Sequence, residues 1–245
     1  MTRKNYTLTK SVYVRSLQCE RAMYLDIYHP KLAHYSPETL QRFRHGRAFE
    51  RSFKDTFPDA IDLNFHLGMN ICRYPALTAS LLQQEGPVEI FEAGFIHDDV
   101  LILADVVRKN LDGTLTIFEV KSSYNITDTL LNDVAIQYYV ITHALPRIAH
   151  ESLFSKPLRI KRFNLLCADC DYGFRSHDVT EQARRLAADI PQRLQHLKEV
   201  LRGPEPDIAP DTSDYGRCNT PYACPYQAHC LRHPSPAQEP APSAQ

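Results

Sequence analysis

The chain has 245 residues, 43% apolar and 23% charged, the balance of a globular protein with a sizeable core rather than of a disordered one. A formal net charge of −1 excludes a globally basic nucleic-acid binder, and no apolar run approaches the length of a membrane span. Seven cysteines, an odd number, suit a reducing compartment better than a disulfide scaffold, and "MTRKNYTLTK" carries no apolar signal-peptide core, so the expected location is cytoplasmic.

In chain order, "TKSVYVRSLQCERAMYLDIYHP" predicts a helix that ends before Pro30. "SPETLQRFRHGRAFERSFKDTF" predicts a second, capped by Ser36, with Pro37 in its first turn and Leu40, Phe43 and Phe49 at helical spacing. This stretch is basic: Arg42, Arg44, Arg47, Arg51 and Lys54 face only Glu50 and Asp55. From Val88 the pattern changes, and "VEIFEAGFIHDDVLILADVV" predicts two strands around a tight turn at 97–99. A further turn at 109–113 leads into a third strand, "TLTIFEVKSS". A helix over about 128–144 follows, with Ala135, Tyr138, Tyr139 and Ile141 among its apolar positions. "RIKRFNLLC" reads as a fourth strand, within a second basic cluster of Arg147, Lys156, Arg159, Lys161 and Arg162 diluted only by Glu151. "DVTEQARRLAADIPQRLQHLKEVL" predicts a last helix, capped by Thr180 or Asp178 and kinked or interrupted by Pro191. The segment 203–215 is irregular by composition, and the tail 233–245, "HPSPAQEPAPSAQ", reads as disordered. This order of elements predicts one mixed α/β domain.

Within the third strand, period-two alternation puts Glu119 and Lys121 on one face, and Phe118 and Val120 on the other. A solvated face and a functional site both fit that pattern. Asp105 interrupts the apolar run "LILADVV" one short turn upstream, so hairpin pairing brings it near Glu119. Two carboxylates placed together in a sheet suffer desolvation and mutual repulsion, and a hard divalent cation such as Mg²⁺ offsets both. Phosphodiester hydrolysis uses this set of groups, with a cation to polarise the phosphoryl oxygen and a lysine to offset developing charge. Glu50 is a candidate further ligand or, alternatively, the partner of Arg47 or Lys54 in a surface ion pair.

"CNTPYACPYQAHC" spaces Cys218, Cys224 and Cys230 with five residues between neighbours, which favours a metal over packing. The fourth ligand is open among Cys19, Cys72, Cys167 and Cys170. Zinc would also accept His229 or His233, whereas a [4Fe-4S] cluster wants four thiolates. Cys167 and Cys170, in "CADC", have the spacing of half a zinc site or a redox pair, and equally suit a turn without a ligand role.

Taken in order, "LADVV", "IFEVKSS" and "DVAIQYYV" resemble the PD-(D/E)xK nuclease superfamily, in its RecB-like branch. Within that branch the chain looks similar to an uncharacterised bacterial family related to CRISPR-associated exonucleases, over roughly residues 10–232. The resemblance implies a restriction-endonuclease-like fold, a central mixed sheet flanked by helices in a single domain over 1–232. Its nuclease core would span about 36–200, with cluster-binding pieces at 10–30 and 215–232. It implies Asp105 and Glu119 as metal ligands, the Val120 carbonyl as another metal contact, Lys121 as catalytic lysine and Gln137 as the glutamine that holds DNA or organises the site. Gly46 and Glu50 of "GRAFE" stand where relatives carry a histidine or glutamate after a glycine, with His45 competing for that place. The tyrosine four positions beyond the glutamine in that pattern is Ile141 here.

The same resemblance implies a [4Fe-4S] cluster on Cys19, Cys218, Cys224 and Cys230 that joins the N- and C-terminal segments. The first gap of the trailing motif is five residues instead of two, which keeps zinc in play. The expected activity is a Mg²⁺- or Mn²⁺-dependent deoxyribonuclease, an exonuclease by analogy. It would act on single-stranded or free DNA ends in processing, repair or defence, with protein partners there and no membrane. Of Arg42, Arg44, Arg47 and Arg51, helical phase lets about two reach one strand. Tyr138, with Tyr124 and Tyr139, could stack on bases. The alternatives are a non-catalytic nucleic-acid-binding or scaffold subunit, and a zinc-bearing interaction protein without nuclease chemistry.

Overall fold

The computed structural model describes residues 7–68, 70–150, 158–169 and 173–233. Glu151, Lys156, Cys170 and the tail from residue 234 lie outside the described residues. The chain divides into two compact units, one of residues 1–10 and 41–190, the other of residues 11–40 and 191–245.

The first unit is built on a mixed sheet of seven strands flanked by helices. Strands β2 (Ile61–Asp62), β3 (Val88–His97), β4 (Val100–Lys109), β5 (Thr114–Lys121), β6 (Arg159–Ala168) and β7 (Phe174–Asp178) lie side by side in chain order. A two-residue strand, β1 (Leu8–Thr9), pairs with β4. Strands β3, β4 and β5 form an antiparallel meander. Asp98 and Asp99 close its first turn with φ of 51° and 61°, the left-handed pair that matches the twist of a two-residue hairpin. Strand β6 runs parallel to β5, which requires a crossover, and α6 (Asp128–His150) supplies it.

Alternation along β5 is realised as the pattern demands. Phe118 and Val120 join Phe91, Val106 and Leu166 around Phe53 of α3 (Pro37–Lys54), with Phe49, Phe57 and Phe174 packed against them. The opposite face carries Glu119 toward Gln137 of α6. Helix α3 starts as the sequence indicates, its Ser36 hydroxyl accepting from the Thr39 amide at 3.2 Å. Helix α5 (Tyr74–Gln83) lies close on β3, where the Thr78 hydroxyl accepts from the Gly94 amide at 2.8 Å. A Cβ at residue 94 would stand 2.6 Å from Tyr74 Cβ, so only glycine permits this approach.

The expected helix between Thr9 and Pro30 is two helices. Helices α1 (Lys10–Gln18) and α2 (Glu20–Tyr28) are separated by Cys19, whose backbone is extended at φ −163° and ψ 121°. The Gln18 carboxamide donates to the carbonyls of Arg217 and Tyr222, each at 2.7 Å. These bonds to distant parts of the second unit hold the break, and local propensity gives no sign of them. The helix expected from residue 178 onward is likewise two, α7 (Thr180–Ala187) and α8 (Ile190–Arg202). Pro191 has no amide to continue α7 and instead falls in the first turn of α8, where none is needed. Residues 203–226 form no helix or strand. The short α4 (Leu63–Leu67), like α5, β1, β2 and β7, had no clear sequence signal.

Candidate active site

The β4–β5 ladder runs from Lys109↔Leu115 to Val106↔Phe118 and stops there. One step further it would pair Asp105 with Glu119. The strands part instead, and the Asp105 carboxylate accepts the Val120 amide at 2.7 Å, replacing the missing backbone partner. Beyond the fork the edge of β4 is taken by β1, in the register Leu8↔Val100 and Thr9↔Leu101. The residue after β1 is Lys10, whose ammonium enters the fork 2.7 Å from Glu119 Oε1 and 3.9 Å from Asp105 Oδ1. A single ammonium thus reaches both carboxylates.

Glu119 is fully buried and every side-chain oxygen has a partner. Lys10 and Lys121 both donate to Oε1, and Gln137 Nε2 donates to Oε2 at 2.8 Å. Lys121 also pairs with Asp133 on α6 at 2.8 Å. Asp133 precedes Gln137 by one helical turn, so both fall on the α6 face that covers β5. The two site carboxylates titrate in opposite directions. Burial, then Glu119, pushes Asp105 up to about 8. Burial would raise Glu119 too, but Lys10 and Lys121 overcome it and hold that group down at about 2. The ammoniums sit on Glu119, and Asp105 bears the cost of their neighbour's charge. Burial alone would lower both lysines, yet Asp133, Glu119 and Asp105 hold each well above the ordinary lysine value.

On the other side of Asp105 stands a second group. Oxygens of Glu50, Glu92 and Asp105 lie within 4.8 Å of one another. Glu92 sits opposite Asp105 in the β3–β4 register, between the pairs Phe91↔Val106 and Ala93↔Ala104. Its φ is 56°, a left-handed residue inside a strand, which re-aims the side chain at a cost of about 1–2 kcal/mol. Lys54 bridges Glu50 at 2.6 Å and Glu92 at 2.5 Å. Residues 47, 50, 51 and 54 share one face of α3, and Arg47, Glu50, Arg51, Lys54, Phe91 and Glu92 line a cavity of about 750 Å³. Five carboxyl groups (Glu50, Glu92, Asp105, Glu119 and Asp133) thus meet three ammoniums (Lys10, Lys54 and Lys121), a formal surplus of two negative charges once a cation displaces the proton that Asp105 otherwise keeps. Hard oxygen donors with that surplus suit Mg²⁺ or Mn²⁺.

The sequence-derived residues therefore divide. Asp105, Glu119, Lys121 and Gln137 come together, and Glu50 joins them through Asp105. His45 is exposed on α3 and outside the acidic group. Arg47 and Arg51 line the cavity, whereas Arg42 and Arg44 occupy exposed positions outside its lining. Tyr138 is half-buried and Tyr124 is exposed. Tyr139 is buried against His97 and His143, with ring centroids 5.4 and 4.5 Å away, so packing absorbs it. Sequence reasoning missed Lys10, Glu92 and Asp133, whereas the pair it offered between Glu50 and Lys54 forms at 2.6 Å. Two of these were findable: a two-residue turn at 98 and 99 sets Glu92 opposite Asp105, and Asp133 lies one turn before Gln137.

In the second unit, Cys19, Cys224 and Cys230 gather around Ala22, Leu25 and Tyr226. Cys218 is buried, and its carbonyl accepts the Cys224 amide at 2.8 Å. The six described cysteines are all free thiols. Burial raises the thiols of Cys218, Cys224 and Cys230, that of Cys224 to about 11, and Cys19 adds to the rise in all three. Four thiols close enough to influence one another form a donor set that fits a thiolate-ligated group. Thiolates of this kind can serve either a tetrahedral zinc or an iron–sulfur cluster. Cys167 is buried in β6, and Cys72 is half-buried.

No family model matches this chain, and no curated protein matches it.

Proposed function

We propose that this protein is a divalent-cation-dependent nuclease of the PD-(D/E)xK type, hydrolysing phosphodiester bonds in DNA, with an exonuclease the favoured form. The observation that carries this reading is the meeting of Asp105 and Glu119 at the fork, near enough for one ammonium to reach both, with Lys121 on the same carboxylate. Asp105, Glu119, Glu50 and Glu92 would hold the cation, with the Val120 carbonyl as a further donor. When bound, such a cation polarises a phosphoryl oxygen and makes hydroxide accessible near neutral pH.

The chain's own groups supply the rest. Asp133 and Glu119 fix the Lys121 ammonium from two sides, so it needs no reorganisation to stabilise charge developing on phosphorus. Gln137 fixes the rotamer of Glu119. Arg47 and Arg51, one turn apart, offer cations to a nucleic-acid backbone on the same face that presents Glu50. Cys19, Cys218, Cys224 and Cys230 would hold a [4Fe-4S] cluster with a structural role.

The test is cleavage of end-labelled single- and double-stranded DNA with Mg²⁺ or Mn²⁺, comparing wild type with Asp105→Ala and Lys121→Ala. Each variant should lose about 10²-fold or more. Equal cleavage by all three proteins refutes the assignment. Iron and acid-labile sulfide in anaerobically purified protein, absent from Cys224→Ser, test the cluster; stoichiometric zinc instead refutes it.

A further inference from the structure

Lys10 has no counterpart among the residues assigned a part above. It is the first residue of α1, immediately after the two residues that add β1 to the edge of β4. Strand pairing on one side and helix start on the other fix its backbone beside the fork. Its side chain is only 18% exposed, and it pairs with a residue 109 positions away. Burying a long cationic stem costs rotamer entropy and desolvation, and the chain gives up both here.

The other two ammoniums have other commitments. Lys54 is shared by Glu50 and Glu92, and Lys121 by Glu119 and Asp133. Lys10 alone among the three reaches Asp105 and Glu119 together, with Asp133, Lys121 and Glu92 among the other charges that interact with it.

We propose that Lys10 is the resting counter-ion of this site: its ammonium holds Glu119 beside Asp105 in the cation-free protein and competes with a divalent cation for the same oxygens. The proposal rests on the nuclease reading for the identity of that cation. A positive charge within about 4 Å of those oxygens attracts them strongly when the site is empty of metal and repels an incoming cation by a comparable amount. The same residue therefore stabilises the metal-free fold and weakens cation affinity. That pairing of effects is a linkage, because whatever removes Lys10 must shift both in opposite directions.

The experiment uses the full chain with Lys10→Gln, which loses the charge but keeps a donor, and Lys10→Arg, which keeps both. Mg²⁺ and Mn²⁺ binding is measured by calorimetry, and thermal unfolding in EDTA and in each metal. Lys10→Gln should melt lower in EDTA, bind Mg²⁺ about tenfold or more tightly than wild type, and gain more from added cation. Lys10→Arg should stay near wild type in all three. A purely structural lysine would give weaker binding when removed, so the sign of the change decides. Unchanged or weaker binding by Lys10→Gln overturns the proposal alone, as does a Lys10→Gln chain that no cation can fold. Binding by neither wild type nor variant overturns it together with the nuclease reading.

Discussion

Replacing Asp105 with Asn removes a carboxylate whose ionisation the fold opposes. Asp105 is 9% exposed, and burial followed by Glu119 moves it from 3.8 to about 8. In the unfolded chain it titrates near the lower value, so between the two the unfolded state sheds a proton that the native state keeps. This group's contribution to stability is whole below about pH 4 and is lost progressively as pH rises toward 8. At about 1.4 kcal/mol per pKa unit, the loss between pH 5 and pH 8 has a ceiling of about 4 kcal/mol. Asn is neutral throughout and can still accept the Val120 amide, but it leaves Lys10 and Lys121 with less negative charge nearby. The expected net result is a variant whose advantage over wild type in EDTA grows by on the order of 2 kcal/mol from pH 5 to pH 8. Urea unfolding followed by circular dichroism at several pH values reads this directly. A difference that is flat in pH, or that shrinks as pH rises, refutes the account of Asp105 as a buried carboxyl held neutral by its neighbour. The same variant should lose cation-dependent cleavage, so stability and activity should move in opposite directions.

Other outcomes follow from single contacts. Gln137→Leu leaves Glu119 Oε2 without its donor and should lower cleavage about 10- to 100-fold with the fold retained, checked by a cleavage assay beside a melting curve. Phe53→Ala empties the centre of an aromatic cluster with rings at 5.1 to 5.8 Å and should cost about 3–5 kcal/mol in denaturant unfolding. Gly94→Ala forces a methyl against Tyr74 and should cost about 1–3 kcal/mol by the same measurement. Tyr226→Phe removes the 2.6 Å bond to Asp26 and should destabilise by about 1–2 kcal/mol, seen as a lower melting temperature.

The sequence by itself carried whatever depends on near neighbours in the chain. Period-two alternation put Glu119 and Lys121 opposite Phe118 and Val120, and a tight turn at 97–99 was expected to join β3 to β4, which the structure narrows to residues 98 and 99. The start of α3 was written in Ser36 and Pro37. Given the short turn before β5, even the approach of Asp105 to Glu119 could be read, because adjacent antiparallel strands leave few registers. The same logic would have placed Glu92 across from Asp105 and Asp133 beside Gln137, had the register and the helical turn been followed one step further.

What tertiary structure decided is of another kind. The parting of β4 and β5 at the carboxylates, the entry of Lys10 on a two-residue strand, the bridging of Glu50 and Glu92 by Lys54 and the break at Cys19 all depend on partners tens to hundreds of residues away. Local propensities and periodicities describe a chain's interaction with itself over a turn or a hairpin. A buried ammonium is placed by the sum of charges that converge on it, and that sum exists only once the chain has folded.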